Sequence, residues 1–199
     1  MITLVLGGAA SGKSEYAERL SETVFAETGS ESVLWYIATM AASDAESEER
    51  IQKHRDRRVG KQYETRECRN AAELNVFAKE PHGPEEVLLL DDIGNYVANE
   101  LFPPDAEWTG EPPLLEGDAL AEAVERLAGP VRALQNTGMF SVLVTNDIFG
   151  EGHTEETPSG VENYLRVLAG LNRAIAAEAD TVIEVTAGLP NIIKGGTGA

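Results

Sequence analysis

The stretch Ile2-Thr3-Leu4-Val5-Leu6-Gly7-Gly8-Ala9-Ala10-Ser11-Gly12-Lys13-Ser14 decides the fold. An apolar run of strand length, Ile2–Leu6, leads straight into Gly7–Ser14, which fits G-x-x-x-x-G-K-[ST]. Behind it, Lys13–Glu27 carries Tyr16, Ala17, Leu20, Val24 and Phe25 at helical spacing. Glycines let the backbone curl so that several N–H groups point inward, and the helix that follows adds its positive end. Such a loop cradles phosphates: Lys13 reaches the β- and γ-phosphates of a nucleoside triphosphate, and the Ser14 hydroxyl holds Mg²⁺. A plain glycine-rich strand-to-helix turn is the rival reading, and the flanking strand and helix disfavour it.

Four further apolar, partly β-branched runs follow: Val33–Ile37, Val87–Leu90, Ser141–Thr145 and Thr181–Val185. Most are too apolar to alternate, which suits strands buried on both faces of a parallel sheet. Helical patterning lies between them, at Asp44–Arg58, Asn95–Phe102, Leu120–Leu134 and Gly160–Glu178. Alternating strand and helix predicts an α/β fold, a mostly parallel sheet flanked by helices. Thr181–Val185 and Asn191–Lys194 are too close for a crossover, so the chain is expected to end in an antiparallel hairpin. Pro103–Glu116 and Phe149–Pro158 read as loops, and Gly129-Pro130 predicts a kink or break in the fourth helical stretch. Residues 1–199 read as one nucleotide-binding domain with a frayed tail at 195–199.

A triphosphate site needs an acidic partner for its metal. Val87-Leu88-Leu89-Leu90-Asp91-Asp92 supplies a strand ending in carboxylates, with Asp91 favoured for the metal because it leaves the strand first. For Asp92, capping the next helix and metal chemistry both stay open.

The net charge is −18, which argues against nucleic acid or an anionic membrane as a general partner. Against that background, Arg50–Lys61 holds six of the sixteen Lys and Arg residues, with His54 among them. On a helix, Arg50, Arg57, Arg58 and Lys61 fall on the face of His54. Cations there would attract triphosphate oxygens and favour a neutral, nucleophilic imidazole. His54 attacking a nucleotide α-phosphate is one reading. The other, preferred from spacing alone, is a solvated helix that balances Asp44, Glu46, Glu48 and Glu49.

Together these residues resemble a known family. Gly7–Ser14, Tyr36-Ile37-Ala38-Thr39, Arg50-Ile51-Gln52-x-His54-x-Asp56-x-Arg58, Thr65-x-Glu67, Leu88–Asp91, Val144-Thr145-Asn146-Asp147 and the end segment from Asn172 to Lys194 look like the bifunctional adenosylcobinamide kinase / adenosylcobinamide-phosphate guanylyltransferases of cobalamin biosynthesis. The likeness spans nearly the whole chain and is weakest over Pro103–Leu134. It implies a RecA-like P-loop fold, a homotrimer, and two reactions. These are phosphorylation of adenosylcobinamide, then GMP transfer from GTP to its phosphate, giving adenosylcobinamide-GDP and pyrophosphate. GTP and ATP are the implied nucleotides, with Mg²⁺ as cofactor.

The resemblance makes His54 the guanylyl carrier and reverses the preference drawn from spacing. Lys13 joins it in the catalytic set. Matched nucleotide-contacting positions are Gly7, Gly8, Ala9, Ala10, Ser11, Gly12, Lys13, Ser14, Ile37, Ala38, Thr39, Arg55, Asp56, Arg57, Arg58, Glu67 and Asp91, with Ser14 and Asp91 also on the metal. The departures are Ala10 and Asp92, where many relatives carry Arg and Cys, and the bulky, acidic Phe149–Glu156, which bears on corrinoid choice. Rival functions are a small-metabolite P-loop kinase without guanylyl transfer, or a non-catalytic nucleotide-dependent regulator.

Other candidates read as structural. Cys68 is expected to pack rather than react, and it cannot form an internal disulfide. Trp35 and Tyr36 are expected to pack on the sheet, and His82 and His153 to sit in solvent. With no apolar run long enough to cross a bilayer and no signal-peptide pattern at Met1–Leu6, the reading is a soluble, cytoplasmic protein without membrane insertion.

Overall fold

The computed structural model describes residues 1–29, 32–41, 45–103, 106, 110–148 and 157–196, with backbone only at 45–47, 50, 54 and 57. The strands are β1 (Ile2–Gly7), β2 (Leu34–Ala38), β3 (Tyr63–Glu67), β4 (Val87–Asp91), β5 (Phe140–Asn146), β6 (Thr181–Thr186) and β7 (Leu189–Lys194). Helices alternate with them: α1 (Lys13–Ala26), α2 (Ala45–Arg57), α3 (Ala71–Lys79), α4 (Ile93–Leu101), α5 (Gly117–Gln135) and α6 (Ser159–Glu178). One sheet runs in the order β3-β2-β4-β5-β1-β6-β7, parallel throughout except for the β6–β7 hairpin. This is the expected α/β architecture with its antiparallel end.

Alternation along the strands sorts side chains onto two faces. Leu4, Leu88, Leu90, Leu143 and Val182 join the larger core, shared with α3, α4, α5 and α6. Val5, Tyr36, Leu89, Val142, Val144 and Ile183 point the other way, around Ala17 of α1. Each fully buried Leu or Val here contributes about 1.5–3 kcal/mol. Because all five residues of β4 are buried, the carboxylate that ends it is carried on a rigid support.

Three expectations need correction. The sequence reading lacked β3 and α3: β3 is a charged edge strand, Tyr-Glu-Thr-Arg-Glu, with four of five residues exposed, so it has no apolar run. Helix α3 is only nine residues long, started by the Asn70 side chain accepting from the Glu73 N–H at 2.9 Å. Helix α5 runs through Pro130 without a break. The proline costs one backbone bond, but Leu127, Ala128, Val131 and Leu134 are buried around it and hold the helix together.

The expected loop at 149–158 lies outside the described residues over 149–156, as do His153, Asp44 and the tail at 197–199. Among the described residues no helix is long and apolar enough to cross a membrane.

Candidate functional site

The glycine-rich loop joins β1 to α1, and its curl is visible in the backbone. Ala10 and Gly12 take positive φ, 55° and 88°, and Gly12 is the residue from which α1 starts. Ser11 N–H donates to the Gly8 carbonyl at 3.2 Å, closing the turn. The β6–β7 turn supports the loop from behind: Gly188 N–H donates to the Ser11 carbonyl at 2.7 Å. Gly7 is required by crowding, since a Cβ there would stand 2.5 Å from both the Val185 carbonyl oxygen and the Ser11 hydroxyl. The Lys13 ammonium, largely buried, donates to the Gly8 carbonyl at 3.2 Å.

Seventy-seven residues further on, Asp91 ends β4 beside this loop. The Ser14 hydroxyl donates to its Oδ1 at 3.3 Å, and the Tyr36 hydroxyl donates to its Oδ2 at 3.1 Å. These are hard oxygen donors next to the glycine-rich loop. They fit Mg²⁺, which takes one or two protein oxygens and fills its other positions with water and phosphate. Among the described residues no cluster of three or more His, Cys, Asp or Glu could hold a metal on protein groups alone.

Asp92 resolves toward capping. Its Oδ1 accepts the Asn95 N–H at 2.7 Å at the start of α4, and Thr39 bonds its backbone on both sides, at 2.8 and 2.9 Å. Burial, and then the Asp91 charge, push its carboxyl up to about 6.

Ser14, Asp91 and Asp92 form one side of a cavity of about 440 Å³. Gln52 and Arg55 from α2, then Arg58, Thr65 and Glu67, line the same cavity. Arg58 lies over the Tyr36 ring, its guanidinium carbon 3.6 Å from the ring centroid. Its Nη1 is buried and has no hydrogen-bond partner among the described residues. Glu67 draws two cations together, Arg69 at 2.5 Å and Arg55 at 3.8 Å. Burial raises the Tyr36 phenol well above its usual range, and Asp91 adds to the effect, so the hydroxyl remains a donor.

The matched positions therefore divide. Ser14, Ala38, Arg55, Arg58, Glu67 and Asp91 meet around the cavity, with residues 7–13 forming the adjoining loop. Ile37 does not meet them: its side chain is fully buried in the core on the other face. Thr39 is turned to the Asp92 backbone, and Asp56 is exposed, accepting from Gln52 at 2.7 Å. Backbone at 54 and 57 belongs to α2, while the side chains of His54, Arg57 and Arg50 lie outside the described residues.

Lys61 leaves the proposed basic face. Helix α2 ends at Arg57, Gly60 takes a φ of 83°, and Lys61 turns to Glu18 at 2.8 Å and Glu22 at 2.7 Å. His82 is not in solvent either. Its side chain is 2% exposed, with Nδ1 3.0 Å from Glu86 and Nε2 2.9 Å from the Phe77 carbonyl, against the rings of Trp35 and Phe77. Cys68 packs as expected, and burial pushes its thiol up to about 12. The sequence reading missed Asn95 and Arg69 at the cavity, for which no spacing signal exists, and it preferred packing on the sheet for Tyr36, which lines the cavity.

Comparison with known proteins points one way. A family model described as cobinamide kinase / cobinamide phosphate guanyltransferase matches residues 3–193. Relatives named bifunctional adenosylcobalamin biosynthesis protein CobU, from Salmonella typhimurium and Escherichia coli, are each 33% identical over 196 residues, covering 98% of this chain and all of theirs. The protein CobP of Pseudomonas aeruginosa is 32% identical over 197 residues, covering 98% of each chain. Among solved structures, the flagellar accessory protein FlaH of Methanocaldococcus jannaschii aligns over 98% of this chain and 78% of its own with a TM-score of 0.50. At 14% identity that is a likeness of fold alone.

Proposed function

The chain belongs to the cobinamide kinase / cobinamide phosphate guanyltransferase family, and from that premise we propose that it phosphorylates adenosylcobinamide and then transfers GMP to the phosphate it has made. The observation that carries this reading is the meeting of Ser14 and Asp91, 3.3 Å apart, in a cavity that Arg55 and Arg58 also line. Phosphate-binding groups and α2, the helix of His54, thus face one space.

In the kinase step the substrate hydroxyl oxygen attacks the γ-phosphorus of ATP or GTP; an O–P bond forms, the β–γ bridge breaks, and the hydroxyl proton is released. Lys13 and the loop N–H groups hold the β- and γ-phosphates in line. Magnesium bound by Ser14 and Asp91 supplies charge neutralisation on those phosphates. In the second step an imidazole nitrogen of His54 attacks the α-phosphorus of GTP, forming an N–P bond as the α–β bridge breaks and pyrophosphate leaves. A phosphate oxygen of adenosylcobinamide phosphate then attacks that phosphorus, yielding adenosylcobinamide-GDP and freeing His54. Arg55 and Arg58 offset the charge that builds on the phosphorus. Gly7–Ser14, Ala38 and Glu67 complete the nucleotide contacts. Ile37 and Thr39 contribute through backbone, because their side chains are engaged elsewhere.

The protein acts as a single nucleotide-binding domain in the cytoplasm, as a homotrimer. Support for self-association is the edge strand β7, exposed along its whole length with Leu189, Ile192 and Ile193 in solvent.

Incubation with α-³²P-GTP and Mg²⁺, followed by denaturation, tests the carrier. Acid-labile, alkali-stable label is expected on the wild type and not on His54→Ala. Label that persists in His54→Ala would remove His54 from the mechanism.

A further inference from the structure

Tyr36 touches both sides of the cavity with different parts of one side chain. Its hydroxyl donates to Asp91 Oδ2 at 3.1 Å, while Ser14 donates to the other oxygen, Oδ1, at 3.3 Å. The face of its ring carries the Arg58 guanidinium at 3.6 Å, and the Tyr63 ring closes on it edge-on at 5.8 Å. Tyr36 itself is 3% exposed in the middle of β2, between β3 and β4, so it has little freedom to turn away.

This arrangement has a specific consequence. A guanidinium held by a hydrogen-bonding carboxylate would have its donors occupied and its charge offset. Held on a ring face, Arg58 keeps both, and its buried Nη1 has no partner among the described residues. The hydroxyl, for its part, fixes the rotation of the Asp91 carboxylate, so that Oδ1 stays turned to Ser14.

We infer that Tyr36 is a positioning residue that sets the metal-binding carboxylate of Asp91 with its hydroxyl and the anion-binding guanidinium of Arg58 with its ring. Metal and phosphate are thereby placed relative to one another by a single side chain. The inference rests on the reading of Ser14 and Asp91 as the metal pair.

Two variants separate the two contacts. Tyr36→Phe keeps the ring and loses the hydroxyl; Tyr36→Leu loses both. Binding of a fluorescent GTP analogue is measured across a Mg²⁺ titration and in EDTA, with thermal unfolding followed in parallel. Tyr36→Phe is expected to need about tenfold more Mg²⁺ for half-maximal enhancement of binding, with its affinity in EDTA unchanged. Tyr36→Leu is expected to show the same Mg²⁺ shift and to lose affinity in EDTA as well, by about fivefold. A purely structural role would lower the unfolding temperature of both variants and leave the Mg²⁺ midpoint in place, which overturns the inference. So does a Mg²⁺ midpoint in Tyr36→Phe equal to that of the wild type. If wild-type binding shows no Mg²⁺ dependence, the reading of the metal pair fails and the inference falls with it.

Discussion

On one side of the cavity, Ser14 and Asp91 stand beside the glycine-rich loop that also carries Lys13; behind them β4 is buried along its whole length and β1 at all but one residue, and the β6–β7 turn bonds the loop through Gly188. On the other side, α2 carries Arg55, β3 carries Glu67 and the connection after β3 carries Arg69, all about half exposed or more. That flank is tied down by charge, through Arg58 on Tyr36 and Lys61 on Glu18 and Glu22. The difference teaches how labour divides in the site. On the proposed reading, the packed support would hold fixed dipoles for phosphate, while the more exposed, charged flank would adjust around a nucleotide.

Replacing Lys13 should have the largest effect. Lys13→Ala is expected to weaken triphosphate binding by about 100-fold, near 3 kcal/mol, because the loop loses its one side-chain cation. Isothermal titration calorimetry with GTP reads it directly. A loss no larger than that of Arg55→Ala would break the division between the two sides.

Packing behind the loop comes next. In Gly7→Ala the added methyl meets the Val185 carbonyl at 2.5 Å, and about 2 kcal/mol of stability should be lost in urea unfolding. At Gly8 a Cβ would meet nothing within 4 Å, so Gly8→Ala should stay within about 0.5 kcal/mol of the wild type. Equal losses at both positions would mean that the hairpin does not support the loop.

The smallest effect belongs to the charged tether. Lys61→Met removes a cation from the nearly buried Glu18 and should cost about 1–2 kcal/mol. Burial works against the Lys61 charge, yet its hydrogen bonds to Glu18 and Glu22 outweigh that and raise it above the ordinary value of 10.5. A raised lysine contributes stability that is complete below 10.5 and is lost as pH climbs through the folded-state value. The urea midpoint of the wild type should therefore fall on alkalinisation past 10.5, while that of Lys61→Met falls less. Parallel profiles would sink the tether.

Legibility in the sequence followed the same division. The packed side could be read because buried strands are runs of Leu, Val and Ile, and a phosphate loop is a short contiguous pattern. Asp91 was found because the strand before it is apolar. The charged side left little to read: β3 looks like any polar segment, and Lys61 seemed to extend a helix that in fact ends at Arg57. His82 was misplaced for a related reason. Its burial depends on the rings of Trp35 from β2 and Phe77 from α3 meeting it, which the turn-like Glu80-Pro81-His82-Gly83-Pro84 does not disclose.

By itself the chain determined the alternation of strand and helix, the glycine-rich loop between β1 and α1, the closing hairpin and the acid at the end of β4. All of these are local patterns, set by backbone sterics and by which side chains shun water. Only the tertiary structure decided that β5 lies between β1 and β4, that Gly188 braces Ser11, and that one tyrosine joins Asp91 to Arg58. Those contacts join residues tens to hundreds of positions apart. What brings them together is the order in which the strands pair, and no short stretch of sequence encodes that order.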